Sequence, residues 1–213
     1  MDTMLTDVMS RLRDATRPHH DRAEHHPFQR ALAKGQLPLA QYVGWLGQMR
    51  HVHERLEAHL DDLAAARPEV RDVLGDDASK LSRIDADLAC LGAGPTASIP
   101  PLPETANVLR RLDESVGADP LRALGMHYVL EGATNGGHYI AMNVAPAYGF
   151  EDGRGVAYLD PYGERQREVW SDFKRRMGGV AFSEDEVDRL VHAAAWMFDA
   201  IATVSDGLDR MSI

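Results

Sequence analysis

Apolar residues recur at three- and four-residue intervals along almost the whole chain, and nowhere do they alternate long enough to specify a strand. Leu5, Val8, Met9 and Leu12 start the pattern. Tyr42, Val43, Leu46, Met49, Val52, Leu56, Leu60 and Leu63 carry it through a long segment opened by Pro38. The breaks between stripes hold helix punctuation. Gly35 ends FQRALAKG as a C′ residue. Asp119-Pro120 and Asp160-Pro161 each read as an N-cap followed by a first-turn proline. Gly178-Gly179 stops one segment, and Ser183 with Glu186 forms a capping box for the next. Pro18 either kinks the first helix or renews it. Residues 92–103 and the stretch FEDGRGVAYLD read as loops. The expected fold is all-α, one domain over residues 1–213, a bundle of about eight helices with residues 70–91 forming one of them.

Composition removes several function classes. A chain that is 44% hydrophobic and 26% charged can bury a core. Its formal charge of −10 lacks the basic footprint of non-specific nucleic-acid binding. The single cysteine, Cys90, permits no intramolecular disulfide and no cysteine-built metal cluster. It reads as a small buried residue in a protein of the reducing cytoplasm. No run approaches the ~18 apolar residues of a membrane span, and MDTMLTDVMSRLRDATRPHH lacks a signal peptide's apolar centre.

Histidine is over-represented, with ten residues. His20 and Glu24 lie four apart, on one face of a helix. A metal-bound imidazole needs an acceptor for its second ring nitrogen, and a carboxylate one turn away supplies it. The neighbouring His19 would have Ala23 in that position. His51 with Glu54, and His53 with Glu57, share another helix, but a di-iron site requires Glu-x-x-His motifs and the chain has none. His53, Glu57 and Asp61, spaced four apart, therefore read as a solvated face. His127 reads as a buried structural histidine. His138, one turn after Thr134, can face the same space as that residue.

The segment EGATNGGHYIAMN places Gly132, Gly136 and Gly137 inside an apolar helix. Each glycine costs a helix interior roughly 0.5–1 kcal/mol relative to alanine. Two uses offset that cost: close helix packing, or a flat ligand laid against bare backbone. A histidine–glutamate pair on the first helix together with a glycine-rich helix about 110 residues later suggests a sandwiched haem, ligated from one side and open to dioxygen on the other.

At this level the chain resembles the haem oxygenase family, chiefly its bacterial branch. The resemblance rests on DATRPHHDRAEHHPFQRALAKGQL, YVLEGATNGGHYI and YLDPYGERQREVWSDFKRRM, in that order along most of the chain. It implies O2- and electron-dependent cleavage of haem b, as cofactor and substrate, to biliverdin, Fe2+ and CO. The implied partners are a ferredoxin or flavin reductase as electron donor, with no nucleic acid and no membrane, and a monomer is expected. By the resemblance, His20 binds the iron and Glu24 orients it. Gly132, Gly136 and Gly137 admit the distal helix to the haem, with Asn135 and His138 as polar distal groups and Thr134 at the cofactor. Arg13, Arg17, Lys174 and Arg175 are the implied holders of the propionates. Many members carry an aspartate where this chain has Ala133. Two alternatives stay open on these residues: a haem-binding store or sensor without turnover, and a haem-free relative of the di-iron or thiaminase-like kind.

Overall fold

A computed structural model describes residues 7–75, 78–92 and 99–210. Among these there are nine α-helices and no strand. They are α1 (Val8–Glu24), α2 (Pro27–Ala33), α3 (Leu39–Ala66), α4 (Pro68–Leu74), α5 (Leu81–Cys90), α6 (Pro103–Ala118), α7 (Arg122–Tyr148), α8 (Gln166–Gly178) and α9 (Glu184–Asp209). Leu5 and residues 93–98 of the expected loop lie outside the described residues.

Several boundaries follow the expected chemistry. Asp7 caps α1 by accepting the Met9 N–H at 3.2 Å. Gly35 follows α2 with φ +63°, and α9 opens on the Ser183–Glu186 capping box. Pro18 lies inside a continuous α1. The expected helix over residues 70–91 is instead two. Gly75, at φ +65°, ends α4 in a conformation a helix does not contain. The two Asp-Pro starts are also displaced. The Asp119 carboxylate accepts the Leu121 N–H at 3.2 Å, so Pro120 sits in a turn and α7 begins at Arg122. Asp160 accepts the Gly163 N–H at 3.1 Å, and a 3-10 turn, Gly163–Arg165, precedes α8. In both cases the aspartate caps a tight turn first.

The core gathers around α3, α7 and α9, with α1 and α6 packed against α9. Leu46, Leu56, Leu112, Leu124, Met126, Leu190 and Met197 are fully enclosed in it. Helices α7 and α9 meet at Gly125, where a Cβ would lie 2.4 Å from the Leu190 carbonyl oxygen. Among the described residues no helix is long and apolar enough to cross a membrane.

Between α7 and α8 the chain runs as an irregular arm, residues 149–162, fastened at each step. Tyr42 donates its hydroxyl to the Gly155 carbonyl at 2.7 Å. The buried Asp87 accepts the N–H groups of Ala157 and Tyr158 at 2.9 and 2.8 Å. Two sequence expectations are corrected here. His53 is 4% exposed and is no part of a solvated face, because α3 is enclosed there by the arm and by residues 79–80. Cys90 is exposed at the end of α5 rather than buried.

Candidate functional site

A cavity of about 540 Å3 opens between α1 and α2 on one side and α7 on the other. That lies within the roughly 300–1,000 Å3 range of small-molecule and cofactor sites. Its inner wall is mainly apolar, with Trp45 and Met49 from α3, Trp170 from α8, and Phe198 and Ile201 from α9.

His20 and Glu24 line the α1 side. His20 Nδ1 lies 3.7 Å from Glu24 Oε2 and 3.9 Å from Asp21 Oδ1, so the carboxylates gather on one ring nitrogen and Nε2 stands apart from them. The three residues form a cluster of potential metal ligands. The His20 ring meets Phe198 edge-on, with centroids 5.6 Å apart, and its side chain remains 51% exposed. His19 is committed elsewhere: its Nδ1 lies 3.1 Å from Asp199 on α9 and 2.8 Å from Arg22. The adjacent histidines are thereby separated, and only His20 lines the cavity.

Across the cavity, α7 presents Gly132, Ala133, Gly136 and Gly137. A Cβ on Gly136 would meet open space, and one on Gly132 would stop 3.5 Å from the Trp170 ring. Gly137 is different. A Cβ there would lie 2.2 Å from the Leu159 carbonyl oxygen, so this glycine lets the arm press against α7. Gly136 is therefore bare backbone facing the cavity, and Gly137 is a packing contact.

Of the polar α7 residues singled out in the sequence, Thr134 lines the cavity with its hydroxyl engaged in protein hydrogen bonds, and Asn135 and His138 lie outside the lining. Thr134 donates to the Glu131 carbonyl at 2.7 Å and accepts from Gln166 Nε2 at 2.8 Å. Asn135 donates to the Gly132 carbonyl at 2.9 Å and takes the other contact of Gln166 Nε2 at 3.2 Å. His138 is not part of the lining. Its Nδ1 lies 3.0 Å from Asp160 Oδ2, an ion-pair distance without hydrogen-bond alignment. It clasps the arm from the α7 side.

None of the four basic residues suggested for propionates lines the cavity. Arg13 is exposed and bonded to Asp14 at 2.8 Å, and Arg17 is exposed on α1 outside the lining. On α8, Phe173 and Met177 face the core, which directs Lys174 and Arg175 to solvent, and Arg175 pairs with Asp172 at 3.1 Å. The basic residues at the cavity are Arg30 and Lys34, four apart on and just after α2. Among the described residues no carboxylate pairs with either. Their spacing was a readable signal, since i and i+4 share a helix face.

Tyr158 also lines the cavity and was not singled out in the sequence. Its ring packs on Trp45, with centroids 5.5 Å apart, and stands edge-on to His53 at 5.2 Å. Its hydroxyl lies 3.0 Å from His53 Nε2, and His53 Nδ1 lies 3.1 Å from Glu57 Oε1. Burial holds the His53 imidazole below its ordinary pKa despite Glu57, and pushes the Tyr158 phenol up. Burial also raises the Glu57 carboxyl, but His53, the Lys80 N–H and Ser79 outweigh it and hold the group low. Behind this cluster lies a second buried group: Lys80 Nζ donates to Glu131 at 2.9 Å and to Tyr162 at 2.8 Å. Burial holds the Lys80 amine below its usual value.

A cavity that joins a histidine–carboxylate pair to exposed glycine backbone suits a flat, metal-centred ligand. Comparisons with known proteins agree on the kind of chain this is. The sequence model of the family described as "Heme oxygenase" matches residues 6–206. Heme oxygenase-2 from Synechocystis, solved in complex with heme and NO, superposes with a TM-score of 0.87 at 18% identity, over 96% of this chain and 86% of that one. Heme oxygenase from Leptospira interrogans gives 0.84 at 17% identity, over 94% and 98%. Heme oxygenase 2 from Chlamydomonas reinhardtii, solved without heme, gives 0.81 at 22% identity, over 95% and 97%. A search of curated protein sequences returned no match. At these identities the superpositions establish the fold, and the sequence match over nearly the whole chain establishes the lineage: the protein belongs to the haem oxygenase family.

Proposed function

We propose that the protein is a biliverdin-forming haem oxygenase, with haem b held between His20 on α1 and the glycine face of α7. The observation that carries this reading is the juxtaposition across one apolar cavity of the His20–Glu24 pair and Gly136, whose missing side chain leaves open space. When bound, haem supplies the iron that activates dioxygen and is itself the molecule cleaved, yielding biliverdin, Fe2+ and CO with electrons from a ferredoxin or flavin reductase.

The residues divide the remaining work. Glu24, 3.7 Å from His20 Nδ1, is the carboxylate placed to partner that nitrogen, which would fix the tautomer and raise the basicity of Nε2 once iron is bound. Gly132 and Gly136 keep the α7 wall flat. Trp45, Met49, Ile201 and Phe198 exclude water from the interior. Arg30 and Lys34, at the exposed rim and without carboxylate partners among the described residues, are the groups to hold two propionates. The reading takes the chain as one cytoplasmic domain acting as a monomer.

One observation favours a second reading, a haem-binding protein without turnover: α7 offers the cavity neither a carboxylate nor a histidine, with Ala133 at its centre and His138 turned to Asp160. The test separates the two. Purified protein is loaded with one equivalent of hemin, supplied with ascorbate in air, and followed by absorption. Decay of the Soret band into a broad red bilin band, with biliverdin identified in the extract, supports the oxygenase. A Soret band that survives reductant and air supports the second reading.

A further inference from the structure

Reduction of dioxygen consumes protons, and the α7 wall of this mainly apolar cavity carries neither a carboxylate nor a histidine to supply them. Of the titratable residues that line it, His20, Glu24, Arg30, Lys34 and Tyr139 are exposed, and Tyr128 lies buried against Trp170 at 6.0 Å between ring centroids. Tyr158 alone of these stands at the end of a chain of hydrogen-bonding side chains that starts at the surface. The exposed Ser79 donates its hydroxyl to Glu57 Oε2 at 2.6 Å. Glu57 Oε1 lies 3.1 Å from His53 Nδ1, and His53 Nε2 lies 3.0 Å from the Tyr158 hydroxyl. Each separation is a hydrogen-bonding distance.

We propose that Ser79, Glu57, His53 and Tyr158 form a proton relay from solvent to the cavity, with Tyr158 as its delivering group. The proposal rests on the oxygenase reading and names a proton donor for a cavity whose α7 wall has neither carboxylate nor histidine. The geometry of the arm supports it. Tyr158 is fixed by Asp87 through its backbone N–H, by Trp45 and His53 through its ring, and by the Leu159–Gly137 and Asp160–His138 contacts beside it. Two residues that sequence reading assigned to distal chemistry thus serve to hold the group that performs it.

The step conserves atoms and charge. A charged His53 keeps its Nδ1–H on Glu57 and directs its Nε2–H at the Tyr158 oxygen. Tyr158 gives its own proton to an acceptor in the cavity as it receives the one from Nε2. His53 ends neutral, Tyr158 ends unchanged, and one proton has entered the cavity. A ring flip then presents the bare nitrogen to Glu57, which passes on a proton taken from solvent beside Ser79. Nothing is oxidised or reduced. The charged groups around His53 are Glu57 on its own helix, Lys80 at the end of the α4–α5 connection and Glu131 on α7, with His127 also nearby on α7. Burial of His53 makes its charged form a ready proton donor.

The test compares the wild-type protein with Tyr158→Phe and Glu57→Gln, each hemin-loaded and supplied with ascorbate in air over pH 6–9. In parallel, 15N spectra of histidine-labelled protein without haem follow the His53 ring nitrogens. The relay predicts hemin affinity and Soret position preserved in both variants, to within about twofold. It predicts bilin formation slowed by about 10²-fold, with the pH profile displaced. Tyr158→Phe should also move the His53 nitrogen shifts and titration. Wild-type rates and an unmoved pH profile in both variants would overturn the relay while leaving the oxygenase reading intact. A wild-type protein that binds hemin and never degrades it would instead remove that reading, and the relay with it.

Discussion

The carbonyl oxygen of Leu159 occupies the place a side chain on Gly137 would need, 2.2 Å from its Cβ position. One residue earlier in the α7 helix, nothing stands within 4 Å of the same position on Gly136. Three glycines that look equivalent in sequence therefore answer different demands.

That contrast can be measured. Gly137→Ala forces backbone against backbone and should destabilise the haem-free protein by about 1–3 kcal/mol, the usual range for overpacking. Gly136→Ala has room in the haem-free protein and gains helix propensity of roughly 0.5–1 kcal/mol, so its melting temperature should hold or rise. Its hemin affinity should fall, because the new methyl projects into the cavity. Thermal melts and hemin titrations of both variants check the pair.

Charge reversal at the rim gives a second test. Arg30→Glu and Lys34→Glu should each weaken hemin binding several-fold, with the loss shrinking at high salt, since exposed ion pairs are worth about 0.2–1 kcal/mol and are screened. Lys174→Glu and Arg175→Glu, which lie away from the cavity, should leave the dissociation constant unchanged.

Acid stability should carry the mark of His127. This residue is buried, and burial lowers its pKa from 6.5 to about 4. The folded state thus refuses a proton that the unfolded state accepts between those values. Stability is intact above pH 6.5 and falls as pH drops towards 4, by roughly 3 kcal/mol from this group at ~1.4 kcal/mol per pH unit. His127→Phe should flatten the slope of denaturation free energy against pH in that window, and an unchanged slope would assign the acid sensitivity elsewhere.

The buried Lys80–Glu131 pair makes a fourth prediction. Both side chains are enclosed, at 3% and 4% exposure. Lys80→Met leaves Glu131 charged and without its cation, and should lower stability by about 3–5 kcal/mol at neutral pH. The double variant Lys80→Met/Glu131→Leu should recover much of it, which chemical denaturation can show.

The helices were legible because apolar period and capping are local. The α7 helix, the Ser183 box and the Gly35 stop all depend on residues within a turn of one another. His20 with Glu24 was legible for the same reason. The gap at Gly75 was not, because a single positive-φ glycine between two apolar stripes leaves the period unbroken. The role of Gly137 was hidden because a ligand and a packed carbonyl both require the absence of a Cβ. Tyr158 was beyond reach, since its partner His53 is 105 residues away and only the arm's path brings them together. The buried state of His53 follows from the same closure, which no pattern within α3 announces.

The central claim is that His20 is the ligand on one wall of a single haem site. An optical titration of hemin into the wild-type protein, His20→Ala and His19→Ala tests it most directly. A one-to-one Soret complex is expected in the wild type and in His19→Ala, with its loss in His20→Ala and recovery when imidazole is added. An unaltered complex in His20→Ala would contradict it.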